Sequence, residues 1–151
     1  MNKKKIIRYI LLALLVFLIL AQFKRVDNEN PPITEGQDFL VMNQTDPAMA
    51  QLIRGACYDC HSHETDHPWY TEVAPISWWI KGHIDEGREH LNFSKWGAYD
   101  TEKQKHKLEE CASRTEATEM PLLTYIILHS EARISKEERA DMVQYFSDLS
   151  Q

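Results

Sequence analysis

The chain has 151 residues, 43% of them hydrophobic, enough for one small domain with an appendage and too few for a multidomain architecture. It carries 17 basic and 23 acidic side chains, and the six basic ones before Val26 leave 11 against 23 beyond it. So acidic a surface argues against nucleic acid as a partner and suits a basic redox protein. Three cysteines cannot all pair within the chain, so at least one needs another explanation.

Lys3, Lys4, Lys5 and Arg8 precede an almost purely apolar run, and no acid occurs before Asp27. As a helix, Ile6 to Phe23 would extend about 27 Å, close to the thickness of a bilayer's hydrocarbon core. A cleavable signal peptide would have only Ile19-Leu20-Ala21 to offer as its processing site. Residues 1–25 are therefore expected to be a retained signal anchor, an N-terminal transmembrane helix. Its basic start places the rest of the chain on the outer, periplasmic or extracytoplasmic, side of the cytoplasmic membrane.

Residues 26–44 contain Pro31-Pro32, Gly36 and several acids without a helical stripe, and read as a linker. A domain over 45–151 follows. Asp46-Pro47 has the form of an N-cap with proline at the first helical position, and Met49, Leu52 and Ile53 give a short helix an apolar stripe that leads into Cys57. Thr101 to Gln104 and Ser135 to Glu138 fit the capping-box pattern and open helices over about 102–116 and 136–149. In the second, Met142, Val143, Phe146 and Leu149 form one packing face. Met120-Pro121 opens a further helical segment, Leu122 to Leu128. Nothing alternates over strand length, so the domain is all-α, with Ser62 to Tyr99 read as a long loop rich in proline and tryptophan.

The chemistry centres on Cys57-Tyr58-Asp59-Cys60-His61, which three cofactor states can use. Covalent haem takes two thiols on the porphyrin vinyl groups and the next histidine on the iron. Zinc would take the two thiolates with His63 and His67. A reversible dithiol would need the strand-to-helix setting that this sequence lacks.

If haem is bound, Met120 is the leading sixth ligand, a soft thioether stiffened by Pro121 and 59 residues beyond His61. His83 and His90, seven apart, are the bis-histidine alternative. His106 reads as a surface residue and His129 as a helix C-terminal histidine. Arg54, Arg88 and Arg114 are possible propionate partners. Trp69, Tyr70, Trp78, Trp79, Trp96 and Tyr99 supply aromatic walls or core, and Cys111 reads as a small hydrophobe on the Leu108 face of its helix.

The ordered set "CYDCHS", "HPWY", "APISWW", "EGREHLNFSKW", "EMPL" and "LHSEARIS", from about Ile53 to Leu149, resembles the small bacterial haem-binding domain family of c-type cytochromes. The resemblance implies a small cytochrome c-like helical domain wrapped around one covalent haem c. Cys57 and Cys60 would be the thioether sites, His61 the proximal iron ligand and Met120 the distal one. Two departures stand out: Cys111 replaces an expected aliphatic residue, and "SRTEATEMP" lacks a glycine before the Met-Pro pair.

The expected role is electron transfer by a membrane-anchored monohaem cytochrome, a carrier for redox partner proteins and not an enzyme. The alternatives are a haem peroxidase or gas or redox sensor with an open distal site, and a zinc-stabilised interaction module.

Overall fold

The computed structural model describes residues 2–151 and is helical throughout, with no strand among the described residues. In chain order the α-helices are α1 Lys3–Ala21, α2 Phe39–Met42, α3 Pro47–Ile53, α4 Asp59–His61, α5 Ile76–His90, α6 Thr101–Glu116, α7 Leu123–Leu128 and α8 Lys136–Leu149. A π-helical turn, Arg54–Tyr58, joins α3 to α4, and 3-10 turns occupy Trp69–Glu72, Phe93–Ala98 and Ser130–Ala132. The described chain divides into two compact units, Met1–Glu29 with Asp66–Asp85, and Asn30–Thr65 with Glu86–Gln151.

In the first unit α1 leads to an extended segment that packs on the 66–85 stretch. The Gln22 side chain donates to the Ala74 carbonyl (2.8 Å) and accepts from the Ala74 amide (3.2 Å), and the Trp78 indole donates to the Lys24 carbonyl (2.8 Å). The helix forms where expected, but it does not support the expected transmembrane helix. It ends at Ala21, and among the described residues no helix is long and apolar enough to cross a membrane. Four basic residues crowd its first two turns, so the uninterrupted apolar run is only Tyr9 to Ala21, about 20 Å against the roughly 30 Å of a hydrocarbon core.

In the second unit α6 and α8 pack together along Leu108, Ala112 and Thr115 on one helix and Met142 and Phe146 on the other, spacings that put each set on a single face. Phe39 is fully buried at the centre of an aromatic cluster, its ring 5.0 Å from Phe93, 4.9 Å from Trp96 and 6.1 Å from Phe146. The linker expected over 26–44 therefore ends early: Asp38 caps α2, and Phe39 and Leu40 belong to the core. Four residues are too short a run to show a helical stripe, which hid this element in the sequence.

Two further expectations are corrected. The long loop over Ser62 to Tyr99 contains the 15-residue α5, whose mixed face of Trp, Lys, Asp, Glu and Arg gives a weak apolar stripe. At α6, Asp100 and not Thr101 is the N-cap, accepting from the Lys103 amide at 2.8 Å, while Gln104 reaches the Trp96 carbonyl instead of closing a capping box. The Ser135 and Glu138 box of α8 forms in full.

Candidate functional site

The Asp46 carboxylate starts α3 by accepting from the amides of Ala48 (3.0 Å) and Met49 (3.1 Å), with Pro47 in the first turn. The helix then widens into the π turn, a local irregularity common at functional sites, which presents Cys57 and leads into α4 with Cys60 and His61. Two glycines let neighbouring chain approach this segment closely. A Cβ at Gly55 would lie 2.8 Å from the Glu131 carbonyl oxygen, and one at Gly87 would lie 2.6 Å from the Cys60 carbonyl oxygen. The last turn of α5, Glu86 to His90, thus passes directly over the cysteine turn.

That approach sets the His61 ring. Its Nδ1 is 2.9 Å from the Gly87 carbonyl and 3.2 Å from the Leu91 carbonyl, so Nδ1 carries the proton and Nε2 the lone pair. Burial holds the His61 pKa below the usual imidazole value despite those two carbonyls, which keeps the ring a neutral donor. The loop beyond it is clamped by Arg88, which donates to the Ser62 carbonyl (2.7 Å), Thr65 Oγ1 (2.8 Å) and Asn30 Oδ1 (2.8 Å).

The structure weakens the two competing readings of the cysteine motif. Both nitrogens of buried His63 are engaged, Nδ1 with the Pro32 carbonyl at 3.0 Å and Nε2 with the Asn92 side-chain amide at 2.9 Å, so zinc loses one of its two histidines. Among the described residues no group of three or more His, Cys, Asp or Glu is gathered to hold a metal ion. Cys57 and Cys60 are free thiols in continuous helix, and burial pushes them up to about 12 and about 11, opposite to the lowered pKa of a reactive dithiol.

Met120 lies half-buried between α6 and α7, joined to Pro121 by a cis peptide bond. Arg139 of α8 donates to the carbonyls of Thr115 (2.7 Å) and Met120 (3.0 Å), fixing the backbone on both sides of the turn. Thr118 sits at φ 58, the left-handed conformation for which the missing glycine would be suited. Just beyond Met120, the Tyr125 hydroxyl donates to Asp59 Oδ2 at 2.8 Å and lies 3.3 Å from the Gly55 carbonyl, so α7 is tied to the cysteine turn. Leu123, Ile127 and Leu128 of the same short helix are 73%, 62% and 64% exposed, an apolar surface beside that turn.

The remaining candidates have other employment. His83 pairs with the Trp79 carbonyl of its own helix at 2.9 Å, and His90 is exposed at the end of α5. His106 faces Glu110 at 3.7 Å on the surface, and His129 stacks on Tyr125 with ring centroids 4.0 Å apart. Arg54 and Arg114 form ion pairs with Glu64 and Glu119. Cys111 packs against the core, as expected, and burial raises its thiol pKa, with nearby Cys57 adding to the effect. Of the six aromatics in the expected wall, Trp96 is buried in the core and Tyr99 packs against it, whereas Trp69 and Trp79 are exposed.

The model of a family described as "Haem-binding domain" matches residues 16–148. The chain belongs to the haem-binding domain family. No curated protein and no solved structure matches it. Haem fits what this haem-binding domain presents: a neutral imidazole oriented through Nδ1 with Nε2 available, two unpaired thiols on adjacent turns, and an exposed apolar helix tied to them. The residues that organise this arrangement, namely Gly87, Leu91, Tyr125 and Arg139, were not identified as site residues from the sequence. Only Gly87 and Leu91 left a trace there, within "EGREHLNF".

Proposed function

We propose that this haem-binding domain is a monohaem c-type cytochrome that transfers electrons at the outer face of the cytoplasmic membrane. Cys57 and Cys60 would hold one haem c as thioethers, His61 would be the proximal iron ligand and Met120 the distal one. The observation that carries the reading is the His61 ring, oriented by the Gly87 and Leu91 carbonyls immediately after two unpaired thiols. Bound there, haem supplies a one-electron iron couple.

The chain's own contribution is positional. The two carbonyls hold the His61 ring in one tautomer, Arg139 holds the Met120 backbone, and the Tyr125 to Asp59 hydrogen bond keeps α7 against the cysteine turn. His61 and Met120 held in this way as the two ligands would suit a carrier, whose coordination stays the same in both redox states, and would not suit a peroxidase or gas sensor, which needs an open position. The acidic domain suits a basic redox partner protein. Helix α1, apolar on all sides from Tyr9 to Leu20, would associate the protein with the membrane.

The test is the absorption spectrum of the full chain, exported with haem-attachment machinery, compared between wild type and Met120→Ala. A low-spin wild type with a methionine-to-iron charge-transfer band that the substitution removes supports the carrier. A wild type that is high-spin and binds carbon monoxide rapidly would make it a sensor or peroxidase. Zinc without covalent haem would make it the interaction module.

A further inference from the structure

The exposed apolar side chains of the first unit are not scattered. Phe23 is 83% exposed, Trp69 78%, Trp79 51% and Ile76 48%, and all four belong to the two segments that the Gln22 to Ala74 and Trp78 to Lys24 hydrogen bonds pin together. Ile76 and Trp79 are three residues apart at the start of α5 and share a helix face. Two tryptophans left in water, in a protein that buries Phe39, Phe93 and Trp96, need a partner that rewards an amphipathic ring.

The position of these side chains at the C-terminal end of α1 points to that partner. Residues 22 to 24 follow the last turn of a helix whose apolar side chains are exposed on every face and whose apolar run is too short to cross a bilayer unaided. With α1 in lipid, Ala74 and Trp78, hydrogen-bonded to Gln22 and Lys24, lie within a few ångströms of its end, at the depth of the headgroups, and the Trp69–Glu72 turn is held to the same segment by the Asn28 bonds to Thr71 and Glu72. Tryptophan prefers that depth, and the Lys24 ammonium, 5.4 Å from the Trp78 ring centroid, is a cation suited to lipid phosphates. Trp78 is covered by Lys24, and Trp79 rests against His83 with ring centroids 4.3 Å apart, yet Trp79 remains half-exposed and Trp69 mostly exposed, which leaves both with ring surface for the lipid.

We propose that Trp69, Ile76, Trp79 and Phe23 form a lipid-docking surface that inserts into the headgroup region of a phospholipid bilayer. It makes the first unit a membrane-binding module in which α1 is one of two contacts. This inference rests on the reading that α1 associates with the membrane, and the two can fail separately.

The experiment uses the full haem-loaded chain with vesicles of phosphatidylethanolamine and phosphatidylglycerol. Flotation measures binding, and hydroxyl-radical footprinting read by mass spectrometry follows Trp69 and Trp79 individually. The expected result is that oxidation of both falls several-fold on vesicles, and that Trp69→Ser with Trp79→Ser weakens binding by about a hundredfold, about tenfold for each large apolar side chain withdrawn from lipid. Trp69→Phe with Trp79→Phe should retain most of the binding, and an unchanged haem spectrum in each variant reports that the fold is intact. If wild type floats with the vesicles while both tryptophans oxidise as they do without lipid, the docking surface is wrong and α1 acts alone. If wild type does not bind vesicles, the membrane reading itself is wrong.

Discussion

The Tyr125 hydroxyl donates a 2.8 Å hydrogen bond to the Asp59 carboxylate, joining the helix that follows Met120 to a residue lying between Cys57 and Cys60. Sequence positions 66 apart are thereby fixed across the proposed haem site. Tyr125→Phe keeps the ring stacked on His129 but removes that bond. We expect a loss of about 1.5–3 kcal/mol in denaturant unfolding of the haem-loaded protein, the scale of a hydrogen bond to a charged group. With Met120 as the proposed distal ligand, imidazole should also displace it more readily than in wild type, because α7 is no longer tied to the turn.

Gly87 tests how closely α5 must approach. In an exposed helix interior, glycine to alanine would add about 1 kcal/mol of stability through helix propensity. At Gly87 the new Cβ would meet the Cys60 carbonyl oxygen at 2.6 Å, a backbone atom that cannot swing away. Gly87→Ala should therefore destabilise by about 1–3 kcal/mol, the usual range for overpacking. It should also lower the fraction of exported protein carrying covalent haem, measured by haem staining after denaturing electrophoresis.

Much of this arrangement was legible in the sequence because the signals were local. The Asp46-Pro47 start, the Ser135 box and the Cys57 to His61 run each lie within a few residues, and each element forms. What stayed hidden depends on distant contacts. The carbonyls of Gly87 and Leu91 act through the backbone and have no side-chain signature, α2 is four residues long, and Arg139 looks like any charged residue of a surface helix. The apolar run of α1 is visible in the sequence, but a span from Ile6 to Phe23 needs Arg8 to snorkel and carries the helix beyond Ala21, where the structure turns to bond Ala74.

Thr118 explains how the chain manages without the glycine expected before Met120. At φ 58 it holds the left-handed conformation after α6, where a β-branched residue is strained by about 1–2 kcal/mol. Its side chain is exposed, so nothing else is lost on truncation. Thr118→Gly should raise the thermal midpoint, with a net gain near 0.5–1 kcal/mol once the greater freedom of glycine in the unfolded chain is subtracted. A drop in stability would mean that the turn is held by contacts of the threonine itself.

Tyr58 gives the pH dependence. Its hydroxyl lies 3.1 and 3.0 Å from the two oxygens of buried Asp38, and burial, followed by the Asp38 charge, drives its pKa well above the ordinary 10, against the smaller opposing effect of Arg54. Folded protein keeps this proton where unfolded protein loses it. The stabilisation is complete below about pH 10 and declines as pH rises above it, with a limiting slope of about 1.4 kcal/mol per pH unit. Urea midpoints measured on both sides of that value should show the decline. Tyr58→Phe should abolish its contribution and destabilise at neutral pH by about 1–3 kcal/mol, because Asp38 loses its donor.

Arg139 offers a test of Met120 that leaves the methionine in place. Its guanidinium holds the carbonyls of Thr115 and Met120 from α8, so it acts on the proposed ligand only through the backbone. A purely structural role would lower stability in Arg139→Ala and leave the spectrum of the folded protein unchanged. A positioning role predicts more: a weaker methionine-to-iron charge-transfer band, and a reduction potential shifted downward as the thioether's hold on ferrous iron loosens. Arg139→Lys, which keeps the charge but not the two-carbonyl reach, should fall between the two. Equal spectra and potentials in all three proteins would remove Arg139 from the site and leave the Tyr125 to Asp59 hydrogen bond as the device that steadies the Met120 segment.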